Sequence, residues 1–486
     1  MEQKPFSLKR PIILCIALAL LFLGRFLPPI PTLSADGMQV LCIFAGTLLL
    51  WLTLSIDWPS ILCIGALALV PSLSMNGLLS ASFGNSTFAF LLFTFLCTYA
   101  LSQTPFIRRC AVGFVCSRPA LRGPWAFCLL FFASVVLVGC FISPTVLFVV
   151  YLPIIEEIFA VLELKKGDKA ANMLMIGLVV CCGVSSGMTP IAHVFPLMAM
   201  GFYTAATGAA ISYTAYMAFA IPAGLLSLLG MMLVFRFVLR PGMAGLKSRD
   251  ALKLKASVPP MDKREKTVLV VFGLVVLLWV LPGLLGGIAP GFSAAMDGLG
   301  TAFPPLLGVA ALSILTHQGK PLLPFGQAMA KGVPWTALVM AAGTLALGSA
   351  LSNADVGLTA ALGNAIMPLA QGMAPLLMVA LFALWATVQT NLSSNMVTVT
   401  VVTAIAIPVC LASGGVNTAA VCAIVGMLSS FAFAFPPAMP CVAIAGASGW
   451  TTAGDLAKYG SLIALVACAI AVLCGYPIAA ALMPWN

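Results

Sequence analysis

Ionisable side chains are scarce in this chain. Its 486 residues include 23 Lys and Arg, 13 Asp and Glu, and 2 His, so that 7% are charged. A soluble domain carries about a quarter charged residues, and this deficit excludes an ordinary soluble globule. Catalytic signatures are also missing. No Walker A or His-Glu-x-x-His sequence occurs, and the one Gly-x-Ser-x-Gly spacing, Gly183-Val184-Ser185-Ser186-Gly187, lies inside an apolar helical run and not at a strand-to-helix turn, so ATP-driven transport and intramembrane hydrolysis are left without support. The 15 cysteines form no CxxC pair; Cys181 and Cys182 are adjacent, and the rest are scattered through apolar runs. They read as small hydrophobes packing in helices, and no structural disulfide follows. What is abundant is apolar surface: 62% hydrophobic residues and a mean hydropathy of +1.13. Runs of about 20 apolar residues recur along the whole length, as transmembrane helices require. They are continuous and do not alternate at period two, which excludes a β-barrel. The fold class is an all-α polytopic membrane protein.

The net charge of +10 would suit a nucleic-acid partner if it were spread over a surface. It is instead clustered at the ends of apolar runs. Lys4, Lys9 and Arg10 precede the first run; Arg108, Arg109, Arg118 and Arg122 follow the fourth; Lys165, Lys166 and Lys169 precede the fifth. Eight more, from Arg240 to Lys266, fill one loop. This is the positive-inside pattern of a cell inner (plasma) membrane protein. It places the N-terminus in the cytoplasm and the C-terminus outside, with Arg25 as the exception. The first span, after Arg10, shows no small-residue cleavage site and reads as retained.

The pattern predicts about 11 transmembrane helices, near 11–29, 38–56, 58–75, 86–104, 172–200, 211–239, 268–287, 301–316, 334–352, 416–446 and 455–482. The charge bias holds only if 125–162 and 373–412 are re-entrant hairpins, the first opening to the cytoplasm and the second to the outside. Residues 1–75 then form N-terminal scaffold helices, and 76–239 a first repeat. Residues 240–267 form a basic cytoplasmic linker that can touch anionic lipid, and 268–486 the second half.

Both hairpins carry a small, polar, helix-breaking point. Ser143-Pro144-Thr145 lies in the first, followed by Pro153; Ser394-Asn395-Met396 lies in the second, followed by Pro408. Each hairpin is followed by a long span that is itself broken, at 183–190 (Gly183 to Pro190) and at 435–440 (Phe435 to Pro440). The halves match weakly in residues and well in order, and they begin on opposite sides of the membrane. That is the pattern of an inverted repeat, which builds a midplane site between half-helices. In lipid, unwound backbone survives only where protein or a water-filled cavity satisfies it.

Helix starts present free N–H groups and a partial positive charge. Two hairpin tips aimed at one point can hold an anion without any intramembrane Lys or Arg, with Ser143, Thr145, Ser394 and Asn395 adding donors. Unwound carbonyls would suit Na⁺. The competing reading is that these small polar residues only pack helices together; their recurrence in matching halves favours the site. His193, after Thr189-Pro190-Ile191-Ala192, is an intramembrane ionisable residue. It either meets a substrate carboxylate or a proton, or is a neutral ring satisfied by backbone. Asp57, Asp297, Asp355 and Asp455 read as interfacial caps, Glu156 and Glu157 as a solvated hairpin end, and His317 as a loop residue. A channel would need rings of charge or carbonyls, and none is visible; a sensor would carry a soluble output domain.

At these residues the chain resembles the divalent anion:sodium symporter family along nearly its full length. The carriers of the resemblance are the two Ser-Asn-Thr-like tips and two further segments. Thr189-Pro190-Ile191-Ala192-His193-Val194-Phe195-Pro196 is similar to the family's Thr-Pro-Ile-Gly-Thr-Pro-Pro-Asn. Phe435-Pro436-Pro437-Ala438-Met439-Pro440-Cys441-Val442-Ala443-Ile444 is similar to its Leu-Pro-Val-Ala-Thr-Pro-Pro-Asn-Ala-Ile. The resemblance implies a homodimeric elevator transporter, not an enzyme, that symports small di- or tricarboxylates with Na⁺ and has no organic cofactor. Ser143, Thr145, Ser394, Asn395, Thr398 and His193 would face the substrate; Ser143, Gly187, Ser394, Asn395 and Ala438 would hold sodium. Pro144 and Met396 depart from the pattern, each replacing a polar residue, and His193 and Met439 stand where Thr would. Sulfate transport, anion exchange and proton coupling through His193 remain open.

Overall fold

Proline and capping residues punctuate the apolar runs into helices joined by short turns. The computed structural model describes residues 9–28, 33–243, 252, 254–255, 258–285, 288–357, 361, 373–436 and 438–485. Much of the basic linker and Pro437 lie outside them, as does the side chain of Asp297. The helices are α1 (Lys9–Leu23), α2 (Ala35–Thr53), α3 (Trp58–Leu67), α4 (Met75–Ala81), α5 (Ser86–Ser102) and α6 (Phe106–Val115). There follow α7 (Pro124–Gly139), α8 (Pro144–Val161), α9 (Lys169–Met188), α10 (Val194–Thr207) and α11 (Tyr213–Leu239). The second half holds α12 (Lys263–Leu285), α13 (Pro290–Leu299), α14 (Phe303–Ile314), α15 (Phe325–Lys331) and α16 (Trp335–Ser352). It closes with α17 (Pro375–Leu392), α18 (Asn395–Ser413), α19 (Thr418–Leu428), α20 (Pro440–Ala447) and α21 (Ala453–Leu482).

Among the described residues, nine helices are long and apolar enough to cross a membrane, or ten if α4 and α5, bent by 42°, count as one span. The protein is an all-α polytopic membrane protein. Its one described sheet is the hairpin β1 (Thr316–His317) and β2 (Lys320–Pro321), paired His317 to Lys320. Gln318 and Gly319 turn it with φ of +51° and +76°, the positive pair that a two-residue hairpin needs.

Without a hydrophobic drive between helices in lipid, close packing of small residues holds the bundle. The centre is α9 and α19. Of α9's apolar window 94% is buried, and every residue of α19 is buried. At Gly426 of α19 a Cβ would stand 2.9 Å from Pro196 Cα and Ala199 Cβ of α10, so only glycine allows that crossing.

Two ion pairs among the described residues tie helices together. Arg108 of α6 meets Glu157 of α8 at 2.5 Å. Its neighbour Arg109 takes Glu265 of α12 in a two-pronged contact, Nε to Oε1 at 2.9 Å and Nη2 to Oε2 at 2.8 Å, and also donates to the Pro259 carbonyl. Glu156 accepts from the Trp450 indole at 3.1 Å, and Lys166 donates to the Ser448 carbonyl at 2.8 Å. The two glutamates expected to be solvated keep exposure to solvent and are also tied, Glu157 to α6 and Glu156 to the 448–450 turn. Asp57 accepts from the Trp58 amide at 2.8 Å and from the Ser55 hydroxyl, as a cap would.

Candidate functional site

Four interruptions divide helices in the interior. Residues 140–143 separate α7 from α8, 393–394 separate α17 from α18, 189–193 separate α9 from α10, and 429–439 separate α19 from α20. Proline explains two of the restarts. Pro144 and Pro440 occupy the first helical position, where the missing N–H would have had no intrahelical partner anyway. The residues preceding the four restarts, Ser143, Ser394, His193 and Met439, all have extended ψ of 130–151°. None of them caps its own helix through its side chain. Ser34, Ser74, Asn85, Ser212 and Asn417 each accept a backbone N–H of the helix they start, whereas α6, α7, α9 and α14 to α17 also start without a side-chain cap. The interior starts thus keep their orphan donors and their positive ends for another partner.

Side-chain bonds link the four interruptions into one layer. The 140–143 interruption meets the 189–193 one where Thr189 Oγ1 donates to the Cys140 carbonyl. The first break meets the second where His193 Nδ1 lies 3.3 Å from Ser430 Oγ, with its ring centroid 4.0 Å from that of Phe195. The end of α17, just before the 393–394 interruption, grips the 429–439 stretch more firmly. Thr390 Oγ1 donates to the Ser429 carbonyl at 2.7 Å. Asn391 Nδ2 donates to the Phe431 carbonyl at 2.9 Å, and its Oδ1 accepts from the amides of Phe433 (3.0 Å) and Ala434 (2.9 Å). Asn391 is 4% exposed, so it serves as the local solvent for unwound backbone that lipid could not satisfy.

The expected site residues are distributed over this layer. Asn395 is buried, and its amide is best satisfied with the nitrogen facing Thr390 Oγ1 (3.0 Å), the Ala438 carbonyl (3.0 Å) and the Thr390 carbonyl (3.2 Å). Asn395 and Ala438 are therefore together. The Gly187 carbonyl accepts from the Tyr216 hydroxyl at 2.6 Å. A Cβ at Gly187 would stand 2.8 Å from the Met427 carbonyl and 2.9 Å from the Phe431 ring, which places this glycine against the second break. Thr398 is fully buried, and its hydroxyl donates to the Ser394 carbonyl at 3.0 Å, within its own first turn. Ser143, Thr145, Ser394 and His193 are half-buried. No described hydrogen bond joins Ser143 or Thr145 to Ser394, Asn395 or Thr398. Ser143 instead lines a cavity of about 160 Å³ with Val146, the Thr98, Tyr99 and Ser102 end of α5, and Lys331.

Sequence reasoning missed Thr390 and Asn391 as clamps, and Tyr216 and Ser430 as partners. A signal existed for the first two: a polar pair at the end of an apolar helix, just before a break. None existed for the others, which act across 29 and 237 residues.

Chemically the layer offers helix-start amides and hydroxyls to an anion, and neutral oxygens to a hard cation. Comparison with known proteins decides the family. The sodium:sulfate symporter transmembrane region matches residues 8–485. The chain belongs to this family. It is the divalent anion:sodium symporter group that the tip motifs resembled, and its members are transporters. Among curated relatives, the sodium-dependent dicarboxylate transporter SdcS of Staphylococcus saprophyticus is 25% identical over 98% of this chain and 92% of its own length. SdcS of Staphylococcus aureus strain RF122 is also 25% identical, with the same coverage. Among solved structures, the YdaH transporter of Alcanivorax borkumensis aligns with a TM-score of 0.56 at 14% identity, over 82% of this chain and 89% of its own. That likeness concerns the fold alone.

Proposed function

We propose that this symporter-family chain imports small dicarboxylates across the plasma membrane, coupled to Na⁺ and carried by an elevator displacement of the two hairpins in a homodimer. The observation that carries the reading is the linked layer of four interior helix starts, each without a side-chain cap of its own. Amides of the first turns of α8 and α18, with the Ser143, Thr145 and Ser394 hydroxyls, would take the carboxylates. The sodium-dependent dicarboxylate transporters among the relatives support this substrate class.

The Na⁺ donor set differs between the halves. In the second, Asn395 faces the Ala438 and Thr390 carbonyls. With its nitrogen inward, the amide donates to oxygens that a cation would otherwise bridge; rotating the oxygen inward gives a neutral oxygen cluster suited to Na⁺. In the first, Gly187 already shares its carbonyl with Tyr216, and Pro144 offers no side-chain oxygen. The second half is therefore the stronger cation site.

The test is uptake of radiolabelled succinate into proteoliposomes under an inward Na⁺ gradient, with choline as the control cation. Ser394→Ala runs alongside, with citrate and sulfate as competitors. Na⁺-dependent uptake that fails in the variant is expected. Absence of both uptake and competition by any of the three anions refutes the dicarboxylate assignment. A second reading, proton coupling or exchange through His193, rests on the imidazole's contact with Ser430 between the two halves. Uptake that persists in choline and follows pH near neutrality would favour it.

A further inference from the structure

The cavity at the first hairpin tip contains a cation that the layer itself lacks. Ser143 and Val146 of the tip face Thr98, Tyr99 and Ser102 at the end of α5, and Lys331 at the end of α15, across about 160 Å³. At about 30 Å³ per water, this is room for roughly five waters or one small organic anion. Lys331 is exposed to this space and forms no ion pair among the described residues. Its position is fixed from two sides. A Cβ on the next residue, Gly332, would stand 2.6 Å from Tyr99 Cγ and 2.8 Å from the Ala328 carbonyl, so the turn is pressed onto α5. The Trp335 indole donates to the Met329 carbonyl at 2.9 Å, which pins α15 to the start of α16. An ammonium at a fixed turn thus shares a small cavity with a hydroxyl on a helix tip, between walls that are largely apolar (Phe95, Ile142, Val333) with the Thr98 and Ser102 hydroxyls among them.

We propose that Lys331 recognises the second anionic group of the substrate, and so makes this cavity select dianions over monoanions. The proposal rests on the transport reading above and deepens it. The tip of α8, through Ser143 and the first-turn amides, takes one carboxylate. Lys331, on α15, holds the other during capture, before it passes to Ser394 and the first-turn amides of α18. The ammonium belongs to the α5–α15 side and not to the hairpin, so it meets the anion only while the tip stands at this cavity. The charge therefore acts on one face of the membrane. A charge at the rim of a site acts mainly on capture and its salt dependence, and little on later steps.

The experiment uses the full-length protein in proteoliposomes of defined orientation and measures succinate half-saturation separately from each face. Wild type, Lys331→Met, Lys331→Arg and the loop control Lys320→Met are compared. Butyrate and succinate serve as unlabelled competitors. Lys331→Met is expected to raise succinate half-saturation about tenfold at the cavity face only, with the maximal rate nearly unchanged. The preference for succinate over butyrate should shrink by a similar factor. The defect should fade in 0.5 M salt as screening replaces it, and Lys331→Arg should restore the preference. Lys320→Met should behave as wild type. Equal half-saturation in Lys331→Met and wild type, with wild-type uptake intact, overturns the role of Lys331 alone. No succinate flux in wild type overturns the transport reading and this inference with it.

Discussion

Replacing Asn391 by Ala removes the clamp on the unwound stretch after α19. The side chain spans three backbone groups of that stretch: the Phe431 carbonyl at 2.9 Å and the Phe433 and Ala434 amides at 3.0 and 2.9 Å. A typical hydrogen bond contributes about 1 kcal/mol net, and a buried group left unpaired costs about 1–3 kcal/mol. Bonds measured within membranes average nearer 0.6 kcal/mol, because the unfolded reference also finds partners. Three bonds then give a loss of about 2 kcal/mol at the lower value and about 3 kcal/mol at the higher one. A chain of this size loses about 2 °C per kcal/mol, so the apparent melting temperature in detergent should fall by roughly 5 °C. Val388→Ala, one turn earlier on the same helix and 46% exposed, is the control for simple truncation. Transport should fall with the melting temperature, because the stretch holds Ala438 opposite Asn395. Melting of Asn391→Ala within one degree of Val388→Ala would refute the claim that this side chain replaces solvent for the break.

Two further perturbations test the packing around the layer. Gly187→Ala forces a methyl against the Met427 carbonyl and the Phe431 ring; overpacking of this kind costs about 1–3 kcal/mol. Its Na⁺ activation curve should shift to higher concentration, and an unchanged curve would remove Gly187 from the cation path. Arg109→Ala leaves Glu265, 1% exposed at its side chain, without its partner, a loss of about 3–5 kcal/mol for a buried charge. Thermal stability should drop sharply and recover in part in the double variant with Glu265→Gln. No recovery would mean that the Arg109 stem, and not the charge, carries the contact.

How much of this was legible in the sequence depends on the range of the interaction. The interruptions were legible because proline and small polar residues mark them locally, as at Ser143-Pro144 and Thr189-Pro190. The family was legible because the same local marks recur in order. The fate of individual side chains was not. Thr398 looked free to face a substrate, yet its hydroxyl is held by Ser394 one turn back, a competition that backbone offers any helical Thr. His193 could be singled out as ionisable, but its partner Ser430 lies 237 residues away. Glu156 and Glu157 remain at least partly exposed, but their partners, Trp450 and Arg108, belong to other elements and leave no local mark. Lys331 drew no notice among the loop lysines, since only the fold sets it across from Ser143.

The neutrality of the layer has an electrical consequence. Thr189, Thr390, Asn391, Ser394, Asn395 and Ser430 carry no charge at any physiological pH, and His193 is the one side chain among these partners able to gain one. With that imidazole neutral, the side chains of the layer would contribute no gating charge in the proposed elevator step. Voltage then acts only on the cargo, at about 2.3 kcal/mol per elementary charge per 100 mV. The steady-state current recorded with substrate present would therefore report the cation charge in excess of the anion's own charge in each cycle. A current step recorded without substrate would instead report a proton on His193.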